Sequence, residues 1–207
     1  MLPDKFATPK HLHLIVFADA SAVAIGYVIY LRAIAEDNEI HISFVMGNSK
    51  VSPKAATTIP KLELCAAVEA TKAAIFVAKE LGIALQAMVF YSDSMIVLGY
   101  LRNTTKCFSC YVTRRTEYIL NLTSVDQWKY VETRDNAADV ATRPMTVQQL
   151  KDSFWFTGPP FIRSLEAQPQ ADEPPLPPAP ELPEEVAKCT SLRTAQEGRN
   201  KSSDYSD

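Results

Sequence analysis

Four acidic residues stand where the surrounding sequence is too apolar to leave them in bulk water. Asp19 closes the apolar run His13-Leu-Ile-Val-Phe-Ala18, and Glu63 lies between Leu62 and Leu64. Asp93 comes just after Met88-Val-Phe-Tyr91, and Asp139 sits between Ala138 and Val140. An ionised carboxylate at the edge of a core is costly unless something pairs with it. Each acid has an ordinary structural role open to it. Asp19 can cap a tight turn, and Asp93 or Ser92 can N-cap a helix. Glu63 can complement a helix dipole, and Asp139 can pair with Arg143 four residues on. Taken singly, those roles are the better explanation of each acid. Taken together, they leave a coincidence of four acids at element ends that one sheet-and-helix fold can bring to one place. Converging carboxylates suit a hard divalent cation such as Mg²⁺, which takes oxygen ligands and keeps waters and substrate phosphates as the remainder. Two such ions, roughly 3.5–4 Å apart, clamp the attacking and leaving oxygens of an in-line phosphoryl displacement. The chemistry implied is phosphodiester hydrolysis.

The elements that must position these acids are legible in the apolar periodicity. Runs at 13–18, 26–32 and 40–46, joined by short polar segments, predict an antiparallel meander. From Pro60 the sequence becomes rich in Ala, Leu, Lys and Glu until Gly82, which predicts one long helix with proline in its first turn. A buried strand at 88–91 follows, then helices at about 92–102 and 111–122 and a strand at 128–131. A short last helix is expected over 136–143, stopped by Pro144. The order β-β-β-α-β-α-α-β-α describes a mixed sheet flanked by helices, an α/β fold.

The chain has 207 residues, 47% hydrophobic and 22% charged, which is ordinary globular composition. Its net charge of −3 is uneven: from Glu166 onward there are nine acids and four Lys/Arg, leaving a net of +2 before that point. A domain so weakly cationic meets a polyanion only through local patches. Seven of the fourteen prolines fall between Pro169 and Pro183. The segment from 166 to 207 is therefore expected to be disordered, with 169–183 able to engage a polyproline-binding partner, although a solvated extension is the plainer reading. The division expected is a lead-in at 1–11, a domain at 12–146, an extension at 147–165 that packs on or follows it, and the tail. Neither a signal peptide nor a membrane span is evident, so an intracellular site, cytoplasmic or nuclear, with reduced cysteines is expected. Cys107 and Cys110 form a C-x-x-C pair but lack the two further ligands of a zinc site.

Seven ordered blocks resemble the ribonuclease H region of BEL/Pao retrotransposon polyproteins. They are Phe17-Ala-Asp-Ala-Ser21 with Gly26, Phe44-Val-Met-Gly-Asn-Ser-Lys50, Thr58-Ile-Pro-Lys-Leu-Glu-Leu64, Tyr91-Ser-Asp-Ser94, Gly99-Tyr-Leu-Arg-Asn103, Asn136-Ala-Ala-Asp139 with Arg143, and Trp155-Phe-Thr-Gly-Pro-Pro-Phe161. The resemblance implies a ribonuclease H-like five-stranded mixed sheet whose first three strands are antiparallel. It maps the family's acidic tetrad onto Asp19, Glu63, Asp93 and Asp139. It further implies two Mg²⁺ ions, with Mn²⁺ as a substitute, that activate water against the RNA strand of an RNA–DNA hybrid. Asp19 would bridge the ions, with Glu63 and Asp93 on one side and Asp139 on the other. Two departures stand out: the loop Glu132 to Ala138 has no histidine, which implies slow turnover or another release route, and Ala137 replaces a usual proline.

Acid-free stretches at 40–62 and 94–116 flank the acidic positions and could track the two backbones of a hybrid. The contacts expected from them and from the blocks are Ser21, Lys50, Lys61, Ser94, Arg102, Lys106, Arg114 and Arg115; ordinary solvated faces explain any one of the bases equally well. Tyr91-Ser-Asp-Ser94 is not the Tyr-x-Asp-Asp of a reverse transcriptase, and no Asp-[Ser/Thr]-Gly protease motif is present. The leading expectation is a metal-dependent endonuclease acting on RNA–DNA hybrids. The alternative is a catalytically inactive ribonuclease-H-like module that binds nucleic acid or protein. An integrase-like transferase of the same fold fits less well, because of the long helix with Glu63 near its start.

Overall fold

The computed structural model describes residues 8–52, 58–104 and 107–165, together with Pro3 and Phe6. The proline-rich stretch 169–183 lies outside the described residues, as does Lys106. Five strands form one sheet in the order β3-β2-β1-β4-β5. They are β1 (His11–Ala20), β2 (Ala24–Ile34), β3 (Ile40–Val51), β4 (Met88–Ser92) and β5 (Trp128–Tyr130). The first three pair antiparallel, whereas β1/β4 and β4/β5 are parallel. The parallel pairs require crossovers, and helices supply them. Helix α1 (Ile59–Leu81) links β3 to β4, and α2 (Met95–Arg102) with α3 (Cys110–Leu120) links β4 to β5.

The boundaries of α1 follow the residues that set them. Pro60 occupies the first turn, and Gly82 ends the helix at φ 64°, a left-handed conformation that only glycine adopts cheaply. Along β1, Leu14, Val16 and Ala18 face α1 and meet its Leu62, Leu64, Ala66, Ala67 and Ala70. The alternating residues Ile15 and Phe17 face the other way, toward Val28, Tyr30, Tyr91 and Ile162. Both faces of the central strand are thus buried, which is why it reads as an unbroken apolar run.

The second face is covered by the end of the described chain. After α4 (Asp139–Thr142) comes α5 (Val147–Asp152), then a 3-10 turn at Pro160–Arg163. Trp155 rests on Gly47, where an added Cβ would come within 2.4 Å of the indole. The hydroxyl of Tyr30 donates to the carbonyls of Phe154 and Trp155 at 3.0 and 2.8 Å. The buried Arg32 donates to the carbonyls of Ile162 and Ser164 at 2.9 and 2.7 Å.

The end of the domain differs from expectation: α5 (Val147–Asp152) is unanticipated, and the helix before it is shorter. That helix spans Asp139–Thr142, not 136–143. Asn136 is extended at φ −79°, ψ 100°, and its side-chain oxygen accepts from the Ala138 amide, so the backbone turns there instead of coiling.

Candidate active site

Asp19 and Asp93 reach one edge of the sheet through neighbouring parallel strands. Phe17 pairs with Tyr91 in the β1/β4 register, so each acid lies two residues beyond that pair. Phe17 and Tyr91 stack with ring centroids 5.1 Å apart and floor this edge with a rigid aromatic pair. Asp139 arrives on α4 from the second face, and Glu63 arrives on α1 from the first.

The ordinary structural roles turn out to belong largely to other residues. The turn after β1 is capped by Ser21, whose hydroxyl accepts from the amides of Val23 and Ala24, each at 3.2 Å. Helix α2 is capped by Ser94, which accepts from Val97 at 3.2 Å and donates to Glu63 at 2.5 Å. Asp19 and Asp93 are therefore released from capping. Glu63 is the fifth residue of α1, past the first turn where a dipole contact would hold it. Only Asp139 keeps the expected partner: its Oδ1 is 2.7 Å from Nε of Arg143.

The carboxylates lie near enough to repel one another in pairs. Asp19 is 8% exposed, and burial pushes its carboxyl up to about 6; Asp93 and Asp139 push the same way, while the Thr142 hydroxyl and the Ala20 amide oppose. Glu63 is raised by burial and by Asp93 and Asp19, against the Ser94 hydrogen bond. Asp139 is also raised, by burial first and then by Asp93, with Arg143 opposing. Asn136 ties the centre together: its side-chain nitrogen donates to the Ala18 carbonyl at 3.2 Å and to Oδ1 of Asp93 at 3.1 Å.

A glycine makes this approach possible. Gly26 lies directly opposite Asp19 in the β1/β2 register, and an added Cβ would be 2.6 Å from Cβ of Ala141 on α4. Gly26→Ala is expected to cost about 1–3 kcal/mol by overpacking. It also lifts α4, and with it Asp139, away from Asp19. Thermal melts and any metal response should both weaken, whereas Gly99→Ala, which meets nothing within 4 Å, should leave packing intact.

The residues expected to touch nucleic acid are dispersed. Lys61 and Arg115 flank the Tyr111 ring, at 5.3 and 3.5 Å from its centroid. Arg114 is exposed, and Arg102 lies near the Trp128 carbonyl at 3.5 Å. Lys50 is ion-paired with Glu69. Ser21 and Ser94 serve the turn and the helix cap. Thr142, which no motif marks, and Asn136 and Ser49, which appear only inside resemblance blocks with no role of their own, make the hydrogen bonds that hold α4 in place. Being neutral and common, they have no periodicity to mark them.

No three His, Cys, Asp or Glu side chains among the described residues are already close enough together to enclose a metal ion. The donor set nevertheless fits a hard divalent cation: it is all oxygen and partly desolvated, and burial first, then neighbouring acids, raises Asp19, Glu63 and Asp139. Cys65, Cys107 and Cys110 are free thiols. No helix among the described residues is long and apolar enough to cross a membrane.

Strand order, strand direction and flanking helices define a ribonuclease H-like fold. Residues 3–94 match the family model of the Pao retrotransposon-like RNaseH-like domain, which bears out the resemblance seen in the sequence. That span contains Asp19, Glu63 and Asp93 and ends before Asp139. Similar solved structures include the N-terminal RNase H domain of a Mycobacterium tuberculosis protein, fused to maltose-binding protein. It has 14% identity and a TM-score of 0.44, over 64% of this chain and 91% of that one. RNase H1 from Halobacterium salinarum NRC-1 has 16% identity and a TM-score of 0.39, over 69% and 98%. LC11-RNase H1, solved with an RNA/DNA hybrid, has 13% identity and a TM-score of 0.42, over 63% and 93%. Curated proteins give no match.

Proposed function

We propose that the chain is a metal-dependent endonuclease that hydrolyses the RNA strand of RNA–DNA hybrids. The observation that carries the reading is the convergence of Asp19 and Asp93 on neighbouring parallel strands with Glu63 and Asp139 brought to them by helices, where burial and the neighbouring acids raise Asp19, Glu63 and Asp139. A binding module has no use for such crowding, because four negative charges repel a polyanion. In this reading Asp19, Glu63, Asp93 and Asp139 hold divalent cations, Mg²⁺ or Mn²⁺. Bound there, the cations supply an activated water and neutralise charge on the scissile phosphate.

The protein's own part is positioning. Asn136 orients Asp93, Ser94 orients Glu63, and Gly26 lets Asp139 close on Asp19. Arg143 pairs with Asp139, a contact that a bound cation would have to displace. Lys61, Arg102, Arg114 and Arg115, with Lys50 and Lys106, supply phosphate contacts, and a salt-sensitive affinity should follow. Choice of RNA over DNA requires contacts to 2′-hydroxyls in the minor groove.

The test is cleavage of a labelled hybrid with Mg²⁺ or Mn²⁺ beside an Asp93→Asn control. Metal-dependent cuts in the RNA strand, lost in the control, support the enzyme. Hybrid binding that weakens with salt, without cleavage in either metal, would replace it with the non-catalytic module. That second reading draws on the Arg143–Asp139 ion pair, which already neutralises one of the four acids.

A further inference from the structure

Thr142 is the last residue of α4 and is 1% exposed. Its hydroxyl lies 2.5 Å from Oδ2 of Asp19 and 3.1 Å from the Asp139 carbonyl. A hydroxyl has one proton to give, and an ionised carboxylate is the stronger acceptor. The donor itself is fixed from outside the helix. Ser21 donates to the Thr142 carbonyl at 2.8 Å, and Ser49 donates to the Ala141 carbonyl at 2.6 Å. The threonine methyl packs at the Gly26 position, 3.3 Å from where a Cβ would stand. A β-branched side chain held at its backbone and at its methyl has little rotamer freedom left.

We propose that Thr142 is a positioning residue: its hydroxyl holds the Asp19 carboxylate in the orientation that receives a divalent cation, without itself touching the cation. The inference rests on the metal-dependent reading of the four acids. Partners one shell removed from a metal fix the direction of the ligand, and losing them weakens binding although every ligand remains.

The test uses Mg²⁺ alone, followed by its effect on the melting temperature without nucleic acid, in wild type, Thr142→Val and Thr142→Ser. Valine keeps the shape and removes the donor; serine keeps the donor and removes the methyl. The Mg²⁺ concentration giving half the shift should rise about tenfold or more in Thr142→Val, and stay within about threefold of wild type in Thr142→Ser. The Mg²⁺ requirement for hybrid cleavage should move in parallel, with the rate at saturating Mg²⁺ largely kept. Thr142→Ala replaces the valine variant if that one fails to melt cooperatively. An unchanged Mg²⁺ midpoint in the donor-less variant overturns the inference while leaving the enzyme reading in place. Equal losses in the serine and valine variants also overturn it, since that is a packing effect. A wild type that neither responds to Mg²⁺ nor cleaves hybrid overturns the reading and the inference together.

Discussion

Asp19→Asn should abolish hybrid cleavage, by at least about a thousandfold, and at the same time make the metal-free protein more stable at neutral pH. The two effects share one cause. Asp19 is 8% exposed among other acids, and its folded pKa is about 6, above the ordinary aspartate value. A raised folded pKa means that the protonated form favours folding. Its contribution is complete below about pH 4, is lost as pH rises through about 6, and is absent at pH 7. Keeping the carboxylate ionised at neutral pH therefore costs the metal-free fold up to about 3 kcal/mol. Asparagine removes the charge but still presents an oxygen to the Thr142 hydroxyl. Melting in chelator at pH 7 should rise by about 5 °C or more. The variant should also lose the Asp19 share of the fall in stability expected of wild type between about pH 4 and 6, while Glu63 and Asp139 keep theirs. A variant that melts lower than wild type at pH 7 would contradict the crowding from which this site is argued.

The second large effect concerns residues remote from the acids. A chain ending after residue 153 should not fold, whereas one ending after Leu165 should. The segment 154–165 supplies the fully buried Ile162, whose loss alone costs about 2–5 kcal/mol. Without it the Tyr30 hydroxyl and the Arg32 guanidinium lose their carbonyl acceptors. Stranded buried donors cost about 1–3 kcal/mol each, more when charged. Phe17 and Tyr91 also lose Phe161, which meets them edge-on with centroids 6.1 and 5.2 Å away. Together these losses rival the whole stability of an ordinary domain, about 5–15 kcal/mol. Circular dichroism and limited proteolysis of the two truncations would decide it. A cooperative melt from the shorter chain would show that the second face of the sheet needs no cover.

The segment that the shorter chain lacks is also the one whose place in the fold is least legible in sequence. Trp155-Phe-Thr-Gly-Pro-Pro-Phe161 stands out as a block, but nothing periodic says which surface it covers. The partners of Trp155, namely Tyr30 and Gly47, lie more than a hundred residues away along the chain. The sequence predicts too long a last helix because Asn136-Ala-Ala-Asp139 has helical composition. In the fold the Asn136 side-chain oxygen takes the Ala138 amide while its nitrogen is held by Ala18 and Asp93, so the chain turns before the helix starts. Ser94 outcompeted Asp93 as the cap of α2, a choice between neighbours that local propensity does not make.

The strands, the long helix and four conspicuous acids are all legible in the residues alone. Burial of both faces of β1 demands an unbroken apolar run, α1 needs its proline and glycine at the ends, and a carboxylate in such surroundings is conspicuous from composition alone. Tertiary structure decided which of those acids are free of capping duty, which glycine lets α4 approach, and which neutral side chains hold Asp19 and Asp93. Those outcomes depend on single hydrogen bonds and sub-ångström clearances between distant segments. A residue type and its neighbours in sequence set what a side chain can donate or accept; only the folded chain sets what stands within 3 Å of it.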